Sequence, residues 1–588
     1  MEKYKSLIDN SVLFNVEQFN DYGGWMLDTQ FMINMGSPFL LAHGLGNPVK
    51  DAETTVNFPQ NGEYHLWVYT RDWVAPWKQG TAAGVFEVNI DGVKTDAVFG
   101  NQGADWHWQD GGTVHIESLC AKLSLHDLTG FEGRCASLFF TTQLEFVPPN
   151  ELEELTAFRR AINKKGDDVF AGKFDIVVAG GGIAGICCAL SAARNGLKTA
   201  FVQDRSIVGG NNSSEVRVWL GGETNFEPYP GVGSIVNELE QEKKAHYGSS
   251  NIGDIYEDDK KLDLLKKEVN ITLFMQHILL DARTENDVIK SVLIYDVVTG
   301  EYKVLEADLF TDATGDATLG NAAGADYEVT TNGHMGMTNF WYAEDCGVYQ
   351  EFPHCPWAID LSNVSFPGRK TVKDVYGKTK EFSLGCWFWE SGMEHDPIEM
   401  AEYARDTNFR AMYGAWDCLK NVDKDYTTYK LGHSSYIGGK RESRRLLGDI
   451  LLTKSDVYKS VEFDDRCVPS TWTFDVHYPD RHFYSAFQEG DGFITKDFHE
   501  KFKTPYFIPY RSLYSRNIKN LFMAGRNVSV THDALGTVRV MRTGGMMGEV
   551  VGIAAAICIK NDVLPRDVYE KHLNNFKQAL LNWGKTYE

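Results

Sequence analysis

Long uncharged apolar runs are scarce in this chain of 588 residues. Residues 1–13 carry Glu2, Lys3, Lys5 and Asp9 around no apolar core, which excludes a secretory signal peptide. The most apolar long stretch, 546–559, is interrupted by Glu549 and is too short to span a bilayer, so a cytoplasmic protein with no membrane partner is expected. No two cysteines have C-x-x-C spacing, and no His/Cys group has the spacing of metal ligands. The ten cysteines therefore read as reduced, mostly buried thiols, and no metal is expected. Basic residues are in deficit, 58 Lys and Arg against 81 Asp and Glu, for a net charge of −23. Gripping a phosphate backbone needs concentrated positive charge, so a nucleic-acid partner is excluded. No low-complexity tract and no fixed-period repeat is present.

What is there divides into blocks. The chain is too long for one core and predicts about three or four domains. Residues 1–150 read as an all-β sandwich. Runs 64–69, 85–90 and 122–125 alternate around a pleat, and the turn Asp91-Gly92 follows the second. Six of the 14 tryptophans, Trp25, Trp67, Trp73, Trp77, Trp106 and Trp108, fall in this block. Exposed, they would stack on sugar rings; buried, they fill the sandwich core. Residues 151–172 read as a charged linker helix. Residues 173–325 and 505–588 read as two halves of an α/β Rossmann-like nucleotide fold, split by an inserted α+β substrate or cap domain, 326–504. Within the insert a helix is expected over 397–419, with Asp396 as N-cap, Pro397 at its first position and Glu399 completing a capping box. Its stripe Ala401, Ala404, Met412, Trp416 and Leu419 has core spacing.

The most informative segment is 176–185. A buried-strand run, Ile176 to Ala179, leads into Gly180-Gly181-Gly182-Ile183-Ala184-Gly185. Gly180 permits the tight turn, Gly182 lets the backbone approach a pyrophosphate, and Gly185 allows close helix–strand contact. The helix starting near Ile183 aims its free N–H groups at the phosphates. The second strand, 198–203, ends in Gln203, followed by Asp204, where an acid usually holds the adenosine ribose. Either residue can make that contact, and Arg205 can pair with a phosphate or stack near the adenine. Two further strand-and-turn segments, 309–316 and 521–526, point to a flavin nucleotide.

These segments carry a resemblance. AGGGIAGICCAL (179–190), VGGNNSSEVRVWLGG (208–222), TDATGDATLGNAAGA (311–325), GKRESRRLLGD (439–449) and the run 508–541 resemble the FAD-dependent oxidoreductases of the glutathione-reductase-like superfamily. Within it, they resemble the large bacterial family often found beside carbohydrate-degradation genes. The resemblance implies FAD as cofactor. It places Gly209, Gly210, Asn211, Asn212, Ser213 and Ser214 along the flavin and Asp316 in a turn close to it. Gly525 and Arg526 would pass the ribityl chain and pyrophosphate. A helix from near Thr543 would aim its positive end at the pyrimidine edge, favouring reduction. Residues 64–73, 103–112 and 125–135 resemble the golvesin/xanthan-lyase carbohydrate-binding-like domain, which suggests a sugar-oriented function, an assembly surface or a lid over the flavin.

Hydride transfer to flavin N5 also requires removal of a proton, and histidine is the natural base. His532, between the flavin turn and the final helix, is the first candidate. His477, on an alternating strand that puts Asp475 on the same face, is the second. Arg217 and Arg539 are electrostatic partners for flavin or substrate. Lys440, Arg441, Arg444 and Arg445 form either an acidic-substrate site or a helix-surface ion-pair network with Glu442 and Asp449. The leading function is oxidation of a hydroxyl carbon of a sugar or glycoside, with an electron acceptor of unknown identity. The alternative is a glycoside-cleaving enzyme that works by transient oxidation, elimination and re-reduction. A third reading, a sugar-binding protein with a vestigial flavin, conflicts with the intact glycine motifs. With a single strong GxGxxG, no separate NAD(P)H domain is expected. A homo-oligomer is compatible with the sequence.

Overall fold

The structure, a computed structural model, describes residues 2–163, 167–369, 383–486 and 492–584. The chain is multidomain and its sheets are of mixed type. At the N-terminal end, Ser11–Asn15, Ser137–Thr141, Gly62–Thr70 and His107–Ile116 form one antiparallel sheet. A second comprises Ala52–Asn57, Cys120–Asp127, Phe86–Ile90 and Val93–Phe99. Leu66 and Leu138 from the first and Phe86 and Leu125 from the second share one apolar core. The turn expected at Asp91-Gly92 joins Phe86–Ile90 to Val93–Phe99, both residues having positive φ. Trp25, Trp67, Trp73 and Trp108 are buried, so these four fill cores, while Trp77 and Trp106 are only partly covered.

The helix Leu152–Ile162 packs Phe158 edge-on against Tyr4 and Phe139. The end of the expected linker helix, 164–166, lies outside the described residues, and by Val169 the chain is already in a strand. That strand, Val169–Ala179, is central to a seven-stranded sheet. Thr199–Gln203 and Ile271–Met275 extend the sheet in parallel on one side. On the other, Tyr302–Asp312 runs parallel and is followed by the antiparallel Val288–Asp296 and His277–Glu285. Leu521–Met523 returns from far along the chain to pair in parallel with the end of Tyr302–Asp312. The C-terminal ends of these parallel strands therefore gather at one edge, where open α/β sheets bind ligands.

Between them lies the segment with the helix Ala401–Asp417. It begins one turn later than expected. Asp396 does accept the N–H groups of Ile398 and Glu399, but they belong to a separate turn, and the helical N-cap is Met400. Phe409, Tyr413 and Trp416 from this helix share a core with Trp73 and Phe131 of the N-terminal block. The two parts are also joined by buried charge: Arg134 donates to Asp406 at 2.6 and 2.9 Å and to Glu402 at 2.6 Å.

The expectation that the apolar C-terminal stretch is too short to span a bilayer needs correction. It belongs to a 21-residue helix, Met541–Asn561, which by length and composition could cross a membrane. Of its most apolar window, 78% is covered by protein. Its Glu549 is hydrogen-bonded within that cover: the carboxyl group accepts from Gly233 N, Val236 N and Trp583 Nε1 at 2.8–3.1 Å.

Candidate active site

The strand Val169–Ala179 ends in the glycine turn. Gly180 has φ 104°, and a Cβ there would lie 2.3 Å from the carbonyl of Ala313. A Cβ on Gly185 would fall 1.8 Å from the carbonyl of Gly180, so the helix Ile183–Arg194 can start this close to the turn only with glycine. At Gly182 a Cβ would meet nothing within 4 Å, because this backbone faces a cavity. The cavity measures about 640 Å³, within the ~300–1,000 Å³ range of cofactor pockets. Gly182 is the N-cap of the helix and supplies no capping side chain. The first-turn N–H groups are thus left for a ligand, and such a terminus suits an anion.

Gln203, Asp204 and Arg205 line the same cavity. Gln203 is engaged at both ends of its amide: Oε1 accepts from Gly181 N at 2.8 Å and Nε2 donates to Ile207 O at 2.8 Å. Asp204 is half-exposed and lies 3.9 Å from Arg205, which pairs more closely with Glu215 at 3.3 Å. Gly210 and Asn211 line the cavity, and Asn211 Nδ2 donates to the carbonyl of Lys440. Ser213 is fully buried behind them, donating to Gly210 O at 2.7 Å. Asp316, Gly525 and Arg526 complete this side. Asp316 binds Lys440 at 2.8 Å and Arg526 at 2.6 Å. Burial alone would raise its carboxyl, but the two cations outweigh it and hold it at about 2.

Arg539 connects the cavity to a second polar cluster. It lines the cavity, and its guanidinium lies 3.3 Å from His477 Nε2 and 3.4 Å from Asp475 Oδ2. His477 Nδ1 faces Glu390 at 2.6 Å, and Asp475 lies 3.3 Å from Nε2. The expected same-face pairing of Asp475 and His477 on the strand Phe474–Pro479 is present. Glu390 has no exposure and also takes Thr495 at 3.0 Å and Arg441 at 3.4 Å. Against burial, Arg441 and His477 hold its carboxyl at about 2. The same balance, with the Arg539 charge and the hydrogen bond of His477 set against burial, keeps Asp475 well below the carboxylate range. Aromatic rings flank the cluster. Trp387 lies 4.8 Å from the His477 ring, Trp472 donates to Asp475 at 3.0 Å, and Trp219 touches Trp472 edge-on.

His477, His532 and Arg217 do not line this cavity, whose lining histidine is His277; His477 reaches it only through Arg539. His532 opens the short helix His532–Val538 and is held by Glu442 at 2.7 Å. Arg217, itself at φ 65°, bonds the carbonyls of Ser214 and Asn251. The basic run 440–445 is dispersed instead of forming one patch. Lys440 goes to Asp316, Arg441 toward Glu390, and Arg445 to Glu442; Asp449 pairs with Arg566 and not with the run. Sequence reasoning missed Glu390, whose segment, CWFWES, has no spacing relation to residue 477. It also missed a grouping of Asp475, Asp497 and His499, whose ligand atoms lie within 4.8 Å of one another. That grouping comes from the cross-strand pairs Asp475–His499 and His477–Asp497, and Arg539 already occupies Asp475.

Comparison with known proteins adds the family. A family described as FAD dependent oxidoreductase matches residues 175–580, more than half of the chain. Glycerol-3-phosphate dehydrogenase of Mycobacterium leprae is 46% identical over 50 residues, and glycerol-3-phosphate dehydrogenase 2 of Mycobacterium tuberculosis matches equally. The match spans 8% of this chain and 8% of each relative. Among solved structures, a geranylgeranyl bacteriochlorophyll reductase-like protein of Thermoplasma acidophilum is 12% identical. It covers 70% of this chain and 86% of its own, with a TM-score of 0.31. The Mycobacterium smegmatis Sdh1 complex gives 12% identity, coverage of 67% and 69%, and a TM-score of 0.30. Likeness at this level does not bear on the chemistry of the chain. The open glycine turn, the uncapped helix terminus and the cations beyond it fit a dinucleotide.

Proposed function

The chain belongs to the FAD dependent oxidoreductase family and is an enzyme with FAD as cofactor, and from that premise we propose that it oxidises a hydroxyl-bearing carbon of a sugar or glycoside. FAD, when bound, supplies the two-electron acceptor that takes the hydride. The chain's own part is binding and the proton. Gly180, Gly182 and the first turn of Ile183–Arg194 hold the diphosphate. Asp204 holds the ribose, since the amide of Gln203 is already engaged by Gly181 and Ile207. Asp316, Lys440 and Arg526 border the flavin side.

His477 takes the substrate proton. Glu390 fixes its tautomer by accepting from Nδ1, which leaves the Nε2 lone pair beside Arg539. The single observation that carries this assignment is Arg539, which lines the cavity and touches Nε2 at the same time. A neutral polyol suits the cluster better than an anion, because Arg539 and Arg441 both already have carboxylate partners. The flat faces of Trp219, Trp387 and Trp472 are suited to the C–H side of a sugar ring. The resemblance of the N-terminal block to a carbohydrate-binding-like module supports the same substrate class.

The test is the visible spectrum of the holoprotein under anaerobic conditions while mono- and oligosaccharides are added one at a time. Bleaching of the oxidised-flavin bands by one sugar is the expected result. With that sugar, His477→Asn should slow bleaching by about 10²–10⁴-fold while the bands themselves remain. Disappearance of a glycoside with the bands intact would identify cleavage by transient oxidation instead. Bleaching at the wild-type rate in His477→Asn would remove this residue from the chemistry.

A further inference from the structure

The family match starts at residue 175, yet one wall of the cofactor cavity comes from far upstream. Thr29, Gln30, Met32 and Ile33 line the same cavity as Gly180 and Gly182. Thr29 is 8% exposed, and its Oγ1 is buried without a hydrogen-bond partner. A hydroxyl offers one donor and two acceptor sites, and burying it unpaired is unfavourable. Thr29 lines the cavity, and a polar ligand seated against this wall would supply the partner that the hydroxyl lacks within the protein.

The wall is built rather than draped. Gln30 Nε2 donates to Asp28 Oδ1 at 2.9 Å and to Tyr436 O at 3.2 Å, and its Oε1 accepts from Gly438 N at 2.8 Å. Asp28 in turn pairs with Arg405, both side chains having no exposure. Asn34 donates to Glu399 O at 2.8 Å. These bonds tie the segment to parts of the chain near residues 400 and 437, so its seat on the cavity is set by the folded molecule and not by the N-terminal block alone.

We propose that residues 29–33 are part of the FAD site: the hydroxyl of Thr29 hydrogen-bonds an oxygen of the bound dinucleotide, and the segment covers the cofactor. FAD then dissociates only as quickly as this wall can part from it. The N-terminal block is, on this reading, a working part of the flavin site.

The test needs no substrate and is therefore independent of the reaction proposed above. Full-length apoprotein, stripped of flavin at high bromide, is titrated with FAD by fluorescence quenching. Thr29→Val keeps the shape and removes the hydroxyl; it should weaken FAD binding about 3- to 10-fold, with an unchanged melting temperature of the apoprotein. Thr29→Ser, which retains the hydroxyl, should bind FAD like the wild type. As a second measurement, Ile33, which is 52% exposed, is replaced by Cys in a background with Cys120→Ser and Cys346→Ser, the two native cysteines that are not buried. Maleimide should label Ile33→Cys more slowly when FAD is present. Wild-type FAD affinity in Thr29→Val, or a labelling rate at residue 33 indifferent to FAD, would overturn the proposal.

Discussion

Glu390 illustrates how single residues set up this site. A buried carboxylate is stable only when its neighbours replace the water it has lost, and Thr495, Arg441 and His477 do so. On the function proposed above its part is orientation: it accepts the hydrogen bond of the Nδ1–H of His477 and so leaves Nε2 to face Arg539, which lines the cavity. Glu390→Gln keeps the size and removes the charge. It should lower kcat by about 10- to 100-fold, with little change in KM and with flavin still bound. Steady-state kinetics on the sugar found by the bleaching screen checks this, and an equal fall in flavin content would show a merely structural role. Asp475 was legible beside His477, because strand alternation is a local property. Glu390 was not, since it lies 87 residues away and reaches His477 only through the tertiary fold.

At the scale of elements, the helix Met541–Asn561 carries a titratable group inside the core. Burial pushes the Glu549 carboxyl up from 4.5 to about 7, against the opposing hydrogen bonds from Gly233, Trp583 and Val236. A carboxyl raised in the folded state adds stability that is fully present below about pH 4.5 and lost as the pH rises through about 7. Melting temperature should therefore fall across that window. Glu549→Gln cannot ionise, so its profile should be flatter over the same range, and differential scanning at a series of pH values checks it. An identical slope in the variant would show that other groups set the trend. The presence of this helix was legible from its apolar run. Nearly all of its span was legible too, from about Gly544 to Lys560; only its start at Met541 and Arg542 was not, because these residues have no helical signature of their own. The helix Ala401–Asp417 shows the converse: its core stripe was legible, but the Asp396 capping signal was spent on a separate turn.

On the scale of the whole molecule, the N-terminal block and the segment around Ala401–Asp417 share one core and one buried ion network. Asp406 and Arg134 have no exposed side-chain surface. Asp406→Ala would leave that guanidinium buried with Glu402 as its remaining carboxylate, and removing one partner of such a pair costs about 3–5 kcal/mol. The denaturant midpoint should drop accordingly. Loss of flavin should follow the same transition, because the block held by this network also lines the cofactor cavity. Unfolding followed by tryptophan and flavin fluorescence in parallel checks it; flavin released well before the protein unfolds would separate the two.

The sequence by itself determined the strand, glycine turn and helix around residue 180 and the alternating strands of the N-terminal block. Each is a local pattern, where backbone sterics and side-chain period dictate the outcome within a few residues. Only the tertiary structure decided that His477 meets Arg539, a residue of the cavity wall, that Lys440, Arg441 and Arg445 are parcelled out among separate carboxylates, and that residues 29–33 form a wall of the cavity. Those outcomes depend on contacts between residues tens to hundreds of positions apart, which packing creates and no spacing along the chain encodes.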